Sequence, residues 1–184
     1  ALANNTTASH NLAVGDGALF DNTTGSQNVA VGHGALPNNT TAGSNIAIGQ
    51  SAMYSNTTGA ENVAIGDGAA FGAVSAAACA FVGYRSGYAN TGHSNNGFGA
   101  YTLLANTSGT YHVAMGYFAL AANTTGSRNV ALGHETLKAN TTGSSSVAIG
   151  YKALEDNTTG YESVAIGWEA AKNATTAQAN IAIG

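Results

Sequence analysis

The side chains of this 184-residue chain that are equipped for chemistry are few and scattered. His10, His33, His93, His112 and His134 offer imidazoles for a metal ion or for proton transfer. Asp16 and Asp67, and the adjacent Glu155 and Asp156, offer carboxylates in pairs, as glycoside hydrolysis requires. Cys79 is the only thiol. Tyr84, Arg85, Tyr88 and Tyr101 bring together the flat, amphipathic groups that stack on sugars and anchor interfaces. The triplet Asn-Thr-Thr occurs seven times, at Asn5, Asn22, Asn39, Asn56, Asn123, Asn140 and Asn157, with Asn106-Thr107-Ser108 and Asn173-Ala174-Thr175 as variants, and each is formally a glycan acceptor. Whether any of these groups act together depends on the elements that carry them.

Those elements are copies of one short unit. The run from Asn28 to Gly32 returns from Asn45 to Gly49, and units of this kind begin at residues 11, 28, 45, 62, 79, 95, 112, 129, 146, 163 and 180. Consecutive starts differ by 17, except that Cys79 and Asn95 differ by 16. Numbering the leading Asn as position 1, positions 2 and 4 are mostly Val, Ile, Leu or Met, and position 3 is Ala in nine of eleven units. Alternation with period two predicts a strand with large apolar residues on one face and Ala on the other. Position 5 is Gly throughout: Gly15, Gly32, Gly49, Gly66, Gly83, Gly99, Gly116, Gly133, Gly150, Gly167 and Gly184. This is the pattern of a corner that needs φ > 0 or close backbone approach. Positions 8 and 9, usually Ala-Leu, predict a second short strand, and Asn-Thr-Thr-Gly predicts a polar turn.

A unit this small cannot bury an apolar face alone, so it must stack on its neighbours as one coil of a β-solenoid. No stretch keeps helical periodicity, and the six-residue sub-period of a triangular β-helix is absent, which favours a flattened roll. At ~4.8 Å per coil the array is a rod on the order of 50 Å long. The same spacing decides the chemistry. His33 and His134 share position 6 but lie roughly 29 Å apart, too far to share a metal, and Asp16 and Asp67 lie roughly 14 Å apart, beyond the reach of a glycosidase pair. Glu155 and Asp156 read as solvated turn residues. No nucleophile-base constellation and no phosphate loop stands out, so an enzyme, a metal and a cofactor are not expected.

Stacked coil over coil, Asn22, Asn39, Asn56, Asn123, Asn140 and Asn157 are expected to form an amide ladder rather than to carry glycans, with the Thr hydroxyls tying off the turn. A flat ice-binding face would need Thr at alternate strand positions, whereas these pairs are adjacent and sit in turns. Cys79 takes the leading Asn position and reads as a buried, inert thiol. The pattern breaks once, over the irregular coils at residues 70–105, where six of the fourteen aromatics gather. Phe81 replaces an Ala there, which suggests a repacked, wider or kinked coil. Position 6, occupied by Tyr84, Tyr117, Tyr151 and Trp168 in some units and by His33, His134, Asp16, Gln50 and Asp67 in others, accepts many side chains and is the natural place for a ligand surface, and equally for rim residues without a role or for contacts between fibre subunits.

Composition narrows the partners. Charged residues are 8% of the chain and its net charge is −4, with no basic patch for nucleic acid and no stretch apolar enough for membrane insertion. Both strand faces are apolar, so the one not buried inside the roll must be covered, and further copies of the chain around an axis are the simplest cover. The array starts and stops inside its motif without polar caps, as a piece of a longer fibre would.

The runs at Asn28 to Gly32, Asn45 to Gly49, Asn62 to Gly66 and Ser146 to Gly150, with the Ala-Leu that follows, resemble the head repeats of trimeric autotransporter adhesins. The resemblance spans essentially the whole chain. Those head repeats are shorter, whereas the longer unit of this chain, with its inserted Asn-Thr-Thr-Gly, is similar to arrays in phage tail fibre proteins and related bacterial surface proteins. What the resemblance implies is a left-handed parallel β-roll solenoid of about ten 17-residue coils, associated as a trimer, in an extracellular fibre of a cell surface or virion. Such rolls serve as shafts or as adhesive surfaces toward a host glycan or protein. The resemblance transfers no catalytic residue.

Overall fold

The computed structural model describes residues 1–176 and 178–184, and contains eleven three-residue strands. They are β1 (Leu12–Val14), β2 (Val29–Val31), β3 (Ile46–Ile48), β4 (Val63–Ile65), β5 (Ala80–Val82), β6 (Asn96–Phe98), β7 (Val113–Met115), β8 (Val130–Leu132), β9 (Val147–Ile149), β10 (Val164–Ile166) and β11 (Ile181–Ile183). Each pairs in parallel with the next in sequence, so the strand order of the single sheet is the chain order. Register is one repeat: Ala30 lies against Ala47, and Ala47 against Ala64. The chain is therefore an all-β parallel solenoid of about ten coils, with no helix among its described residues.

The alternation in each strand resolves in one direction. Position 3 points inward, with Ala30, Ala47, Ala64, Ala114, Ala131 and Ala148 fully buried, while the Val, Ile and Leu of positions 2 and 4 point out of the roll. The core is a thin seam in which these alanines meet the small residues of position 8, mostly alanines, and in most coils one large residue at position 9, Leu19, Leu36, Met53, Leu103, Leu120, Leu137 or Leu154.

The segment that carries those leucines is not the second strand that its apolar residues suggest. Leu19, Leu36, Met53, Leu120 and Leu137 have φ between 49° and 53°, in the left-handed region. Each such residue costs on the order of 1 kcal/mol, and burying its side chain returns roughly 2 kcal/mol. The twist turns the leucine inward while its N–H still points along the fibre axis: Leu36 N donates to Ala52 O at 2.9 Å and Met53 N to Ala69 O at 2.9 Å. The leg is thus hydrogen-bonded from coil to coil without being extended.

The corner after each strand is made by the position-5 glycines, whose φ values from Gly15 to Gly167 lie between 125° and 140°. They also stack directly: a Cβ on Gly66 would stand 2.5 Å from the Gly83 carbonyl oxygen. Both the backbone conformation and the stacking exclude a side chain there.

Two polar columns close the opposite edge. At position 12, Asn39 Nδ2 donates to Asn22 Oδ1 (2.9 Å) and to the Ala42 carbonyl (2.9 Å), and Asn56 Nδ2 repeats this toward Asn39 and Gly59. The ladder runs on through Asn90, Asn106, Asn123, Asn140 and Asn157. It stops where Ala73 and Ala174 occupy the position, and the oxygens left facing those alanines, Asn56 Oδ1 and Asn157 Oδ1, are the buried atoms without a partner among the described residues. At position 1 a second column forms, in which Asn45 N donates to Asn28 Oδ1 and Asn62 N to Asn45 Oδ1, each at 3.0 Å. Cys79 serves in this column as a substitute for Asn: its N–H donates to Asn62 Oδ1 and its Sγ accepts from Asn95 N. Burial pushes its thiol pKa up, so it stays protonated and unreactive.

The irregular coil does not kink the solenoid. Ala80 pairs with Asn96 and Phe81 with Gly97 in unbroken register, and the missing residue falls in the polar turn, where Asn90-Thr91-Gly92 replaces Asn-Thr-Thr-Gly. Phe81 enters the core because its neighbours withdraw. Gly87 stands where other coils carry Leu, and a Cβ on it would lie 2.5 Å from the Phe81 ring; a Cβ on Gly97, which replaces Ala, would lie 2.9 Å from it.

Candidate functional site

The surfaces able to recognise anything are the outer sheet face, the edge after the glycine corner, and the turn leg beside it. The sheet face is apolar from end to end. Leu12, Val14, Ile46, Ile48, Ile65, Val113, Met115 and Ile166 are each 36–52% exposed, and Phe98 joins them at 40%. Of the twenty-two outward side chains at positions 2 and 4, twenty-one are apolar. Together they present on the order of 1,000 Å² of apolar surface in one stripe, above the roughly 300–600 Å² of the largest patch on an ordinary monomer and close to the ~800 Å² that one partner buries in a stable interface.

The edge after the corner changes character halfway along. In the first coils it carries Asp16, His33, Gln50 and Asp67, among which His33 Nε2 stands 3.8 Å from Asp16 Oδ2 in full solvent. From the irregular coil onward it is aromatic, and the structure joins all seven residues expected to form a ligand surface into one network. The Arg85 guanidinium lies over both Tyr84 and Tyr88, 5.3 and 5.2 Å from their centroids. Tyr84 meets Tyr101 edge-on at 5.3 Å, and Tyr101 meets Tyr117 edge-on at 5.8 Å. The line continues by stacking from Tyr117 to His134, from His134 to Tyr151 and from Tyr151 to Trp168, with centroids 5.3, 5.4 and 4.2 Å apart. The six aromatics of residues 71–101 are not one patch, however. Phe81 is core and Phe98 lies on the sheet face, while Tyr88, tied to the line only through Arg85, ends a second stack that runs Tyr54, Phe71, Tyr88 at 5.0 Å intervals along position 10.

Two features of the turn leg escape a reading of the sequence alone. Phe118, stacked on Tyr101 at 4.7 Å, thickens the aromatic line. Next to it the chain's three lysines and three of its glutamates form a checkerboard: Lys138–Glu135 at 2.7 Å, Lys152–Glu135 at 3.1 Å, Lys152–Glu155 at 3.2 Å, Lys172–Glu169 at 3.2 Å and Lys172–Glu155 at 3.7 Å. Glu155 is accordingly not a solvated turn residue but a nearly buried one held between two ammonium groups. Hydrogen bonding to Lys138, with a further contribution from Lys152, holds the Glu135 carboxyl down at about 2, and Glu135 and Glu155 raise Lys152. Writing the units under one another, repeat below repeat, shows both features, since Tyr101 and Phe118, Glu135 and Lys152, and Glu155 and Lys172 each stand one coil apart, while the other ion pairs join residues three apart in one coil. Between Phe118 and this ladder, Leu104, Ala121, Lys138, Glu155 and Asp156 bound a groove of about 380 Å³, where the position-10 aromatics give way to smaller side chains.

The remaining reactive groups do not converge. His112 lies in the position-1 column, accepting at Nδ1 from Asn129 N (3.2 Å) and facing the Gly126 carbonyl through Nε2 (2.7 Å), a geometry that assigns the proton to Nε2. Desolvation pushes its pKa down to about 4. No group of three His, Cys, Asp or Glu side chains among the described residues is placed to hold a metal ion, and no described helix is long and apolar enough to cross a membrane. The asparagines of the Asn-Thr-Thr triplets from Asn22 to Asn157 are buried with their amides bonded, so the folded coil does not present them as glycan acceptors. The first Thr of each triplet is also engaged: Thr23, Thr124 and Thr141 donate their hydroxyls to the carbonyl one coil on. Only the second Thr, as at Thr24, Thr41, Thr125 and Thr142, is exposed, in single file along an edge.

Fold and surface together define a parallel β-solenoid with one flat apolar face. Set against protein-family models, curated proteins and solved structures, the chain finds no match in any of the three.

Proposed function

We propose that this chain is a structural segment of an extracellular fibre, an adhesin or surface appendage, in which copies of the solenoid pack through their sheet faces around a common axis. The observation that carries this reading is the apolar stripe, mostly Val, Ile and Leu and interrupted by a single polar side chain, that runs along the eleven strands, too large to stand in water and uniform enough to meet itself. We further propose that the coil is the left-handed β-roll of the adhesin head repeats it resembles and that three copies associate, outside the cell or on a virion. A phage tail fibre shaft is the same reading in another setting. Rigidity follows from the two amide columns and the glycine stack, which tie every coil to the next.

Light scattering under native conditions tests the association. A mass three times the 18.2 kDa of one chain is expected, and a double substitution Ile48→Lys, Ile65→Lys should give a folded monomer with the same β-sheet circular dichroism. A monomeric wild-type chain at micromolar concentration would overturn the reading.

A second reading, contact with a glycan, is favoured by the aromatic line from Tyr84 to Trp168 beside a groove whose rim carries Lys138, Glu155 and Asp156. Rings offer stacking to the C–H face of a pyranose, and the rim offers partners to its hydroxyls. Trp168, the only tryptophan and 70% exposed, reports directly. Quenching or a blue shift of its fluorescence with surface polysaccharides, lost in Tyr151→Ala, is expected; no change across a panel of neutral and acidic oligosaccharides would end this reading. Ice binding is the weaker alternative, because its threonines form one exposed rank and not a face.

A further inference from the structure

We propose that Asn96 fixes the axial register between copies of this chain on the sheet face, an inference that rests on the self-association proposed above. A stripe of near-identical coils has a difficulty of its own. Sliding one copy past another by one coil, ~4.8 Å, replaces each Val or Ile by another Val or Ile and forfeits only one layer of contacts. Apolar burial is non-directional and hardly distinguishes such states. A homogeneous face therefore specifies association but not alignment.

The face carries one mark. Asn96, at the start of β6, is the single polar side chain among the twenty-two outward positions of the eleven strands. Its neighbours in the register are also exceptional: Ala80, paired with it on β5, is the smallest outward residue, and Phe98 on its own strand is the only aromatic one. The backbone at this point is ordinary, with Asn96 N donating to His112 O at 2.9 Å as in other coils. The side chain is not. The ladder asparagines are buried and bonded, whereas the Asn96 amide is half-buried and makes no hydrogen bond to any described residue.

An amide is donor and acceptor at once, so it can pair with its own copy across a symmetry axis. Aligned copies bring the Asn96 amides to one level, where they satisfy each other. Copies slipped by one coil set each amide against Ala80 or Val113, desolvated and unpaired, so every slipped state carries a penalty that the aligned one lacks. A buried Asn at one seam position fixes register in coiled coils by the same balance, at some cost in stability.

The test reads alignment directly. Cys79 is buried, so Thr142→Cys gives one exposed thiol for a spin label, and dipolar spectroscopy then measures the distances between copies. Wild-type Asn96 should give a single narrow distance population. Asn96→Val, which installs the residue already present in β7, β8, β9 and β10 and so keeps the fold, should lose that single population to several, with an unchanged or higher melting temperature. Adding Val113→Asn moves the mark by one coil and should restore one population. A single population that persists in Asn96→Val, several populations in the wild type, or a failure of Val113→Asn to restore one would each overturn the proposal while leaving self-association intact. A wild-type chain that is monomeric by light scattering would remove both.

Discussion

The coil from Asn45 to Glu61 and the coil from Cys79 to Ser94 occupy the same place in the solenoid with different residues. The first has Asn45 at its head, Ala47 in the strand and Met53 in the core. The second has Cys79, Phe81 and Gly87 at those three places and is one residue shorter. Both bury their inward residues and both keep strand register with their neighbours. What these two coils keep in common is therefore a sum: one large apolar group in a layer of a thin core, one acceptor on the head residue for the N–H of the next coil, and one glycine where backbones stack. Phe81 with Gly87 satisfies the first condition as Ala47 with Met53 does, and the sulfur of Cys79 satisfies the second in place of an amide oxygen.

Restoring the usual residue in the unusual coil breaks this equivalence most severely. Gly87→Leu forces a side chain into the Phe81 ring, and a loss of at least about 3 kcal/mol in denaturant unfolding is expected. The triple change Phe81→Ala, Gly87→Leu, Gly97→Ala rebuilds a regular core layer and should recover most of that loss. If Gly87→Leu alone is neutral, the volumes are not coupled.

His112 poses the same comparison at the head position. It does the work of Asn only while neutral, and its folded pKa of about 4 lies below the 6.5 of the exposed group. Its contribution is fully present above pH 6.5 and is lost as the pH falls toward 4, to a total on the order of 3 kcal/mol. Stability measured across this window should fall in the wild type and lose most of that slope in His112→Asn. Equal slopes would show that His112 does not carry the acid sensitivity.

The interruptions of the position-12 ladder offer a gain. Ala73→Asn supplies a donor to the unpaired Asn56 Oδ1 and should stabilise the array by about 1 kcal/mol, while Asn39→Ala should cost about 1–3 kcal/mol by orphaning a neighbour. Thermal unfolding of the two variants should shift in opposite directions. The smallest effect is expected on the turn leg, where Lys138→Ala removes a surface ion pair and should change stability by less than about 1 kcal/mol, and less still in high salt.

Much of this is legible in the chain. Asn28 to Gly32 and its echoes announce a strand, because period-two alternation has one geometric meaning, and an unvaried glycine after it announces a corner that no other residue can make. The asparagines at position 12 can be read as a column because residues one repeat apart must stack once the unit is one coil. The second strand expected at Leu19 and Leu36 does not form: apolar residues at positions 8 and 9 signal burial, and burial says nothing about a left-handed φ. Glu155 looks solvated in the sequence because its partners, Lys152 and Lys172, meet it only across a turn and between coils.

The amino-acid sequence by itself thus determined the period, the parallel register and the stacking of like on like, since in a solenoid these depend only on the repeat length and on which residues tolerate which backbone. It left both strand faces apolar and did not say which one lines the core. The tertiary structure decided that, because so short a coil encloses a seam with room for alanines and at most one larger group in a layer, which sends Val and Ile outward. It also decided that Phe81 is core while Phe98 is surface, and that Tyr84 through Trp168 form one line. Those outcomes depend on the width of the roll and on distances between neighbouring coils, quantities that exist only once the chain is wound.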